Sequence, residues 1–320
     1  MTTTDPVQSV PTEECVDKTF RILSLDGGGA KGFYTLGVLK EIEGMLGCPL
    51  CNRFNLIFGT STGAIIATLV ALGYSVDEIH DLYKKHVPSI MKASSANGKS
   101  TALARLTHEI YGSKSFTDFK TRIGVVTTKW VTEKPMIFKD DISQAHGRKG
   151  TFKPGFGVSI ADAVQASCSA YPFFCRKTVH TEAGDDIELV DGGYCANNPT
   201  LYAIADATAA LNVNPSDIRV VSVGVGVYPE PKPKNWLFWA AKKLISVRLL
   251  QKTLEINTQS MDQLRLVLFK NIKTVRISDT FEQPDMATDL MEHDLKKLNI
   301  LHQRGRESFA SRESELRSFF

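Results

Sequence analysis

The 320 residues, 42% hydrophobic and 23% charged, suffice for one large domain or two modest ones around a sizeable core. A formal net charge of +3 is too mild to imply a nucleic-acid polymer as partner, although it does not oppose an anionic membrane surface. No apolar run reaches the ~18 residues of a membrane span, and the opening MTTTDPVQSVPTEEC lacks the basic and apolar regions of a secretory signal, so a soluble cytoplasmic protein is expected.

Six cysteines in such a chain read as reduced thiols. Cys48 and Cys51 have the Cys-x-x-Cys spacing, but no second pair or histidine pair completes a zinc site, so no metal and no cofactor is expected.

Residues 1–18 are polar and aperiodic and are expected to form a mobile arm. A strand over 20–25 then runs into Asp26, Gly27, Gly28, Gly29, Ala30, Lys31 and Gly32, and a helix follows over 33–46. The glycines satisfy the dinucleotide fingerprint, yet the second strand ending in an acidic residue that it requires is missing from the region 47–52. The order Ala-Lys-Gly-Phe does not fit a phosphate-binding P-loop either. A third reading fits better: successive glycine amides form a concave cluster of donors for an oxyanion, with Lys31 adding positive charge.

One strand later, an apolar run over 55–58 leads into Gly59-Thr60-Ser61-Thr62-Gly63 and an apolar helix over 64–72. This is the nucleophile-elbow pattern: a serine on a strained strand-to-helix corner, flanked by glycines where any Cβ would collide with neighbouring backbone. The helix directs its amino end, with free N–H groups and the positive end of its dipole, at the serine. Ser61 is the candidate nucleophile.

Gly73 suits a helix C-terminus, and Ser75 with Glu78 forms a capping box for a helix through His86. His80 and His86 read as surface or core residues. Residues 94–100 read as a mobile loop or the foot of a lid, 123–128 and 135–138 as strands, and Asp140-Asp141 as a solvated turn. Ser159 caps a helix over 160–170, stopped by Tyr171-Pro172.

A short strand over 187–190 ends in Asp191-Gly192-Gly193, and Asn197-Asn198-Pro199 then opens a helix through Leu211 with Asn as cap and Pro at its first position. Asp191 is a second polar residue at a strand's carboxyl end, the edge where open α/β sheets place their sites. Strands over 219–223 and 274–277, helices over 236–269 and 284–303, and a fraying tail over 311–320 complete the chain, so residues 19–310 form a single domain.

Taken together and in this order, the Asp26–Gly32 loop, Gly59-Thr60-Ser61-Thr62-Gly63 and Asp191-Gly192-Gly193 resemble the motifs of patatin-like phospholipases, and the likeness extends over residues 20–225. The resemblance implies a three-layer α/β/α fold with a mostly parallel sheet. It also implies calcium-independent hydrolysis of acyl esters of membrane phospholipids by a Ser-Asp dyad without histidine. Carried over, Ser61 is nucleophile, Asp191 is general base, the amides around Gly27, Gly28 and Gly29 form the oxyanion hole with Lys31 as supporting charge, and Gly32, Gly59, Gly63, Gly192 and Gly193 are motif glycines. In size and in its helical C-terminal region the chain is also similar to the nucleotide-gated phospholipase effectors of bacterial antiphage defence. That likeness implies a cyclic nucleotide activator, peripheral contact with the inner face of the membrane, and a possible homo-oligomer.

Two other readings remain. An α/β-hydrolase triad would combine Ser61 and Asp191 with His293 or His302, but both histidines look like solvated positions. A silent lipid- or nucleotide-binding module is opposed by the intact serine and aspartate. The segment 236–256 is apolar round most of its circumference, leaving only Lys242, Ser246 and Thr253 as a polar stripe. It reads either as a buried or subunit-contacting helix, or as a lipid-facing one in which Trp236, Phe238 and Trp239 stand beside Lys242, Lys243 and Arg248.

Overall fold

A computed structural model describes residues 18–231 and 242–320. Eight strands form one mixed sheet: β1 (Phe20–Leu25), β2 (Leu56–Thr60), β3 (Arg122–Lys129), β4 (Pro135–Lys139), β5 (Lys177–His180), β6 (Asp186–Asp191), β7 (Ile218–Val223) and β8 (Lys273–Ile277). Their order is β5-β6-β3-β2-β1-β7-β8, with β4 also on β3. The run β3-β2-β1-β7-β8 is parallel, whereas β4, β5 and β6 add antiparallel pairings at the β3 side.

The central strands are near-continuous apolar runs because both faces of the sheet are covered, and alternation sends neighbouring side chains to opposite sides. Leu23, Leu25, Ile57, Val125 and Val223 enter one core. Ile22, Leu56, Phe58, Val126 and Val220 enter the other.

The first core is closed by helices α1 (Gly32–Leu46), α2 (Thr62–Leu72), α3 (Val76–Lys92), α4 (Ala96–Tyr111) and α5 (Ile160–Ser167). The second is closed by the single turn α6 (Gly193–Ala196) and by α7 (Thr200–Ala205), which continues as one π-helical turn through Ala210; α8 (Lys242–Leu268) packs against both. The last helices are α9 (Leu295–Ala310), packed along α1, and α10 (Glu313–Arg317). The three-layer arrangement expected from the sequence is present.

Several local expectations differ. Residues 94–100 are not a loop: Ser95 accepts the Gly98 N–H and caps α4, a helix whose polar first turn hides its start from hydrophobic patterning. The helix expected over 284–303 is a three-residue turn followed by non-helical chain until Asp294 caps α9. The final residues do not fray, because α10 buries Leu316 and the Phe319 carbonyl accepts from Arg21. Pro199 stands at the N-cap of α7 and not at its first helical position, and Asn198 accepts the Thr200 N–H at 3.0 Å. The expected arm lies outside the described residues apart from Lys18, as do Trp236, Phe238 and Trp239 and the side chains of Lys242, Lys243 and Arg248.

Candidate active site

The pairing register explains why the serine and the aspartate meet. β3 pairs with β2 up to Thr60↔Val126, and with β6 from Thr127↔Asp191 onward. Residues 124–128 of β3 also pair with β4, so β2 and β6 must share the other side of β3, running toward one another from opposite ends. Their carboxyl ends therefore abut. Ser61 follows directly after Thr60, and its Oγ donates to Asp191 Oδ2 at 2.7 Å.

Ser61 has φ 53° and ψ −123°, the strained corner expected of an elbow. The glycines leave no room for anything larger. A Cβ on Gly59 would stand 2.4 Å from the Gly63 carbonyl oxygen, and one on Gly63 2.3 Å from that of Leu25. Gly192 is held equally close to Val126, and Gly32 to the Thr62 hydroxyl. Ser167 ties the corner together: its hydroxyl accepts the Ser61 N–H at 2.9 Å and donates to the Val126 carbonyl at 2.7 Å. All eleven residues of α2 are buried, so the helix that starts at the serine is fixed.

Asp191 is 2% exposed, and its Oδ1 accepts the Gly193 N–H at 2.7 Å. Burial raises its pKa from 3.8 to about 6, against the smaller opposing effects of the Gly193 amide and the Ser61 hydroxyl. The carboxylate is thus a stronger base than an aspartate in water, yet ionised at neutral pH.

The glycine loop is only partly as expected. Gly28 and Gly29 line the same cavity as Ser61 and Asp191, and among the described residues their amides have no hydrogen-bond acceptor. The Gly27 amide does have one, the Asn197 carbonyl at 2.9 Å, which removes it from the free donors. Lys31 turns away: it lines a different cavity, with its ammonium 3.7 Å from Glu255, and does not line the one that holds Ser61.

Residues given no part in the site by the sequence hold this loop. Arg276 on β8 grips the Asp26 carboxylate with both guanidinium nitrogens and also donates to Ser222 at 2.8 Å. Asn197 links the loop to α8: its N–H donates to Asn257 Oδ1 at 2.8 Å and its Nδ2 to Thr258 Oγ1 at 2.7 Å. These partners are 54 to 250 residues apart in sequence and carry no local signal.

Above Ser61 lies a cavity whose walls include Ile65, Val87, Ile90, Leu103, Leu106 and Phe174. Neither candidate histidine reaches it. His293 is exposed and faces the Met291 carbonyl, while His302 is stacked on His80 with ring centroids 4.0 Å apart. Among the described residues no group of three or more His, Cys, Asp or Glu is arranged to hold a metal ion.

A hydroxyl resting on a buried carboxylate, at the floor of an apolar cavity and beside free backbone amides, is the layout of a serine hydrolase for apolar acyl groups. The chain belongs to the patatin-like phospholipase family, whose family model matches residues 23–204. It is 67% identical over 311 residues to a cUMP-AMP-activated phospholipase of Escherichia coli, covering 97% of each chain. It is 31% identical over 244 residues to a cGAMP-activated phospholipase of Vibrio cholerae, covering 67% of this chain and 66% of the relative. Among solved structures, VipD from Legionella pneumophila aligns with a TM-score of 0.47 and 13% identity, over 92% of this chain and 66% of that one.

Proposed function

We propose that the protein is a calcium-independent lipid acyl hydrolase of phospholipase A type, switched on by a cyclic dinucleotide at the inner face of the membrane in antiviral defence. The observation that carries the chemistry is the 2.7 Å hydrogen bond from Ser61 to the buried Asp191 beneath an apolar cavity. Family membership supports phospholipid as substrate, and the names of the E. coli and V. cholerae relatives support nucleotide activation.

In this reading an acyl chain lies along Ile90, Leu103 and Leu106 with its ester carbonyl over Ser61. Asp191 takes the hydroxyl proton as Oγ bonds to the carbonyl carbon, and the amides of Gly28 and Gly29 receive the negative charge that collects on oxygen. Collapse breaks the ester bond, and the proton on Asp191 passes to the departing alcohol, the lysophospholipid. Water then attacks the acyl-serine, with Asp191 again accepting the proton, and as the Oγ–acyl bond breaks that proton returns to Ser61 Oγ, releasing the fatty acid. The helix dipole of α2 adds to the stabilisation of the anion.

Membrane contact has a suitable surface. Trp130 pairs its N–H with the Glu188 carbonyl, three residues along β6 from Asp191, or about 10 Å at ~3.3 Å per residue. Trp130 and Val131 are 39% and 79% exposed, and Tyr171 is 38% exposed. The Arg176 guanidinium stands 5.0 Å from the Trp130 ring and 5.4 Å from that of Tyr171. Aromatic rings beside a cation suit the headgroup layer of a bilayer.

Product analysis on vesicles of mixed phospholipids, with and without a panel of cyclic dinucleotides, tests the reading. Free fatty acid and lysophospholipid should appear only when the matching nucleotide is present. Release of a phosphorylated headgroup or diacylglycerol would contradict it.

A further inference from the structure

Behind the glycine loop lies a second cavity, in which polar side chains stand among apolar ones. Its lining includes Lys31, Asn197, Gln251, Glu255, Thr258 and Gln259. Gly28, Leu254 and Leu290 line this cavity and the one over Ser61 alike, so the same three residues form the wall between them.

Lys31 is an unusual occupant of such a wall. It is 3% exposed, and burial pulls its pKa down, with the Glu255 charge opposing the shift. Among the described residues Glu255, at 3.7 Å, is its one carboxylate within 4 Å. Glu255 is shared with Lys252, 3.6 Å from its other oxygen, so an anion that drew Lys31 away would leave Glu255 paired. Asn197 is 6% exposed, and its Oδ1 is buried with no hydrogen-bond partner. The Gln251 amide already donates to Glu255 at 3.0 Å, but a buried cation whose carboxylate stands at 3.7 Å, beside a buried amide oxygen with no partner, is poorly satisfied as it stands.

We propose that this cavity binds the cyclic dinucleotide activator, with Lys31 taking a phosphodiester oxygen and the Gln251, Gln259 and Asn197 amides facing a base. The proposal rests on the reading of the protein as a nucleotide-activated phospholipase. A lipid headgroup presents the same phosphodiester chemistry, but Lys31 does not line the cavity where the ester would lie, which favours the nucleotide.

The route from this cavity to the chemistry is short. Gln251, Leu254, Glu255 and Thr258 are all on α8, and Thr258 and Asn257 hold Asn197. The Asn197 carbonyl in turn accepts the Gly27 amide at 2.9 Å. A ligand that draws Lys31 from Glu255, or shifts α8, thereby moves Gly27 and the Gly28 and Gly29 amides beside Ser61. Its preference for one arrangement of the loop is what would bias the enzyme toward activity.

The test titrates cyclic UMP–AMP, and separately glycerophosphocholine, into the full chain carrying Ser61→Ala, so that binding is read whether or not the catalytic reading holds. Saturable binding of the dinucleotide is expected, weakened roughly tenfold or more by Lys31→Gln and also by Gln259→Leu, since each removes a hydrogen-bonding group from the ligand. Thermal melting checks that both variants fold. In the active chain, the nucleotide concentration giving half-maximal fatty-acid release should rise by the same factors. Unchanged affinity in both folded variants, or no dinucleotide binding at all, would overturn the proposal. So would glycerophosphocholine competing with equal affinity, which would assign the cavity to the headgroup. Fluorophosphonate labelling of the wild-type chain reports separately on the catalytic reading.

Discussion

Ser61 and Asp191 are neighbours because consecutive residues of one strand hold them: Thr60, just before the serine, pairs with Val126, and Asp191 pairs with Thr127. Two strands of opposite direction thus end at one point on β3. The distance between hydroxyl and carboxylate is set by sheet register, which is stiff, and not by a loop. Ser167 fastens the same point, bonding both to the Ser61 amide and to the Val126 carbonyl.

Asp191→Asn should lower turnover by roughly 10²–10⁴, the usual contribution of a general base. The same variant should be more stable than the parent at alkaline pH. Because the folded-state pKa is raised, from 3.8 to about 6, the native state holds this proton more tightly, and stability from this group is lost as pH rises through about 6. A shift of that size corresponds to on the order of 3 kcal/mol at pH 8. Melting curves should show the variant ahead at pH 8, with the gap closing toward pH 4.

Asp191 accepts a proton only when ionised, so kcat/KM should rise with pH through about 6 and level off above it. That step falls close to the ordinary titration of histidine near ~6.5, so its position alone does not separate a dyad from a triad. Substitution does: the profile should be unchanged in His293→Ala and His302→Ala, whereas loss of the step in either variant would assign the base to histidine. Burial and nearby positive charge hold His302 down at about 4, where it cannot produce a step near 6.

Ser167→Ala removes the bridge between the elbow and β3 while leaving Ser61 and Asp191 untouched. The Ser61 amide and the Val126 carbonyl each lose a partner, at about 1–3 kcal/mol for a buried group left unsatisfied. As Ser167 positions the nucleophile, kcat should fall about tenfold or more with KM little changed. A fall in stability with kcat intact would limit Ser167 to a structural role.

The three motifs were legible in the sequence because each is local: a strand, a turn that requires glycine, and a helix start within a dozen residues. The antiparallel course of β6 was not, since nothing in Ile187 to Val190 records which neighbour the strand will pair with. The same holds for Asn197, read only as part of a helix start but employed between Gly27 and α8, and for Arg276, whose partner Asp26 lies 250 residues away. Lys31 shows the converse error. Its place in the glycine motif suggested charge at the oxyanion, but the turn into α1 carries its side chain into the neighbouring cavity.

Trp130→Ala combined with Val131→Ser removes exposed apolar groups without touching the core. Hydrolysis of phospholipid in vesicles should drop several-fold while a short soluble ester is cleaved at the parent rate. Equal rates on both substrates would leave membrane contact to another surface.

The central claim is that Ser61 is acylated with Asp191 as its base, and covalent trapping tests it most directly. The activated wild-type chain is treated with a fluorophosphonate and the modified peptide sequenced by mass spectrometry. A single adduct is expected on Ser61, abolished by Ser61→Ala and slowed by Asp191→Asn in proportion to its loss of turnover. An adduct on another residue, or phospholipid hydrolysis persisting in Ser61→Ala, would contradict the account.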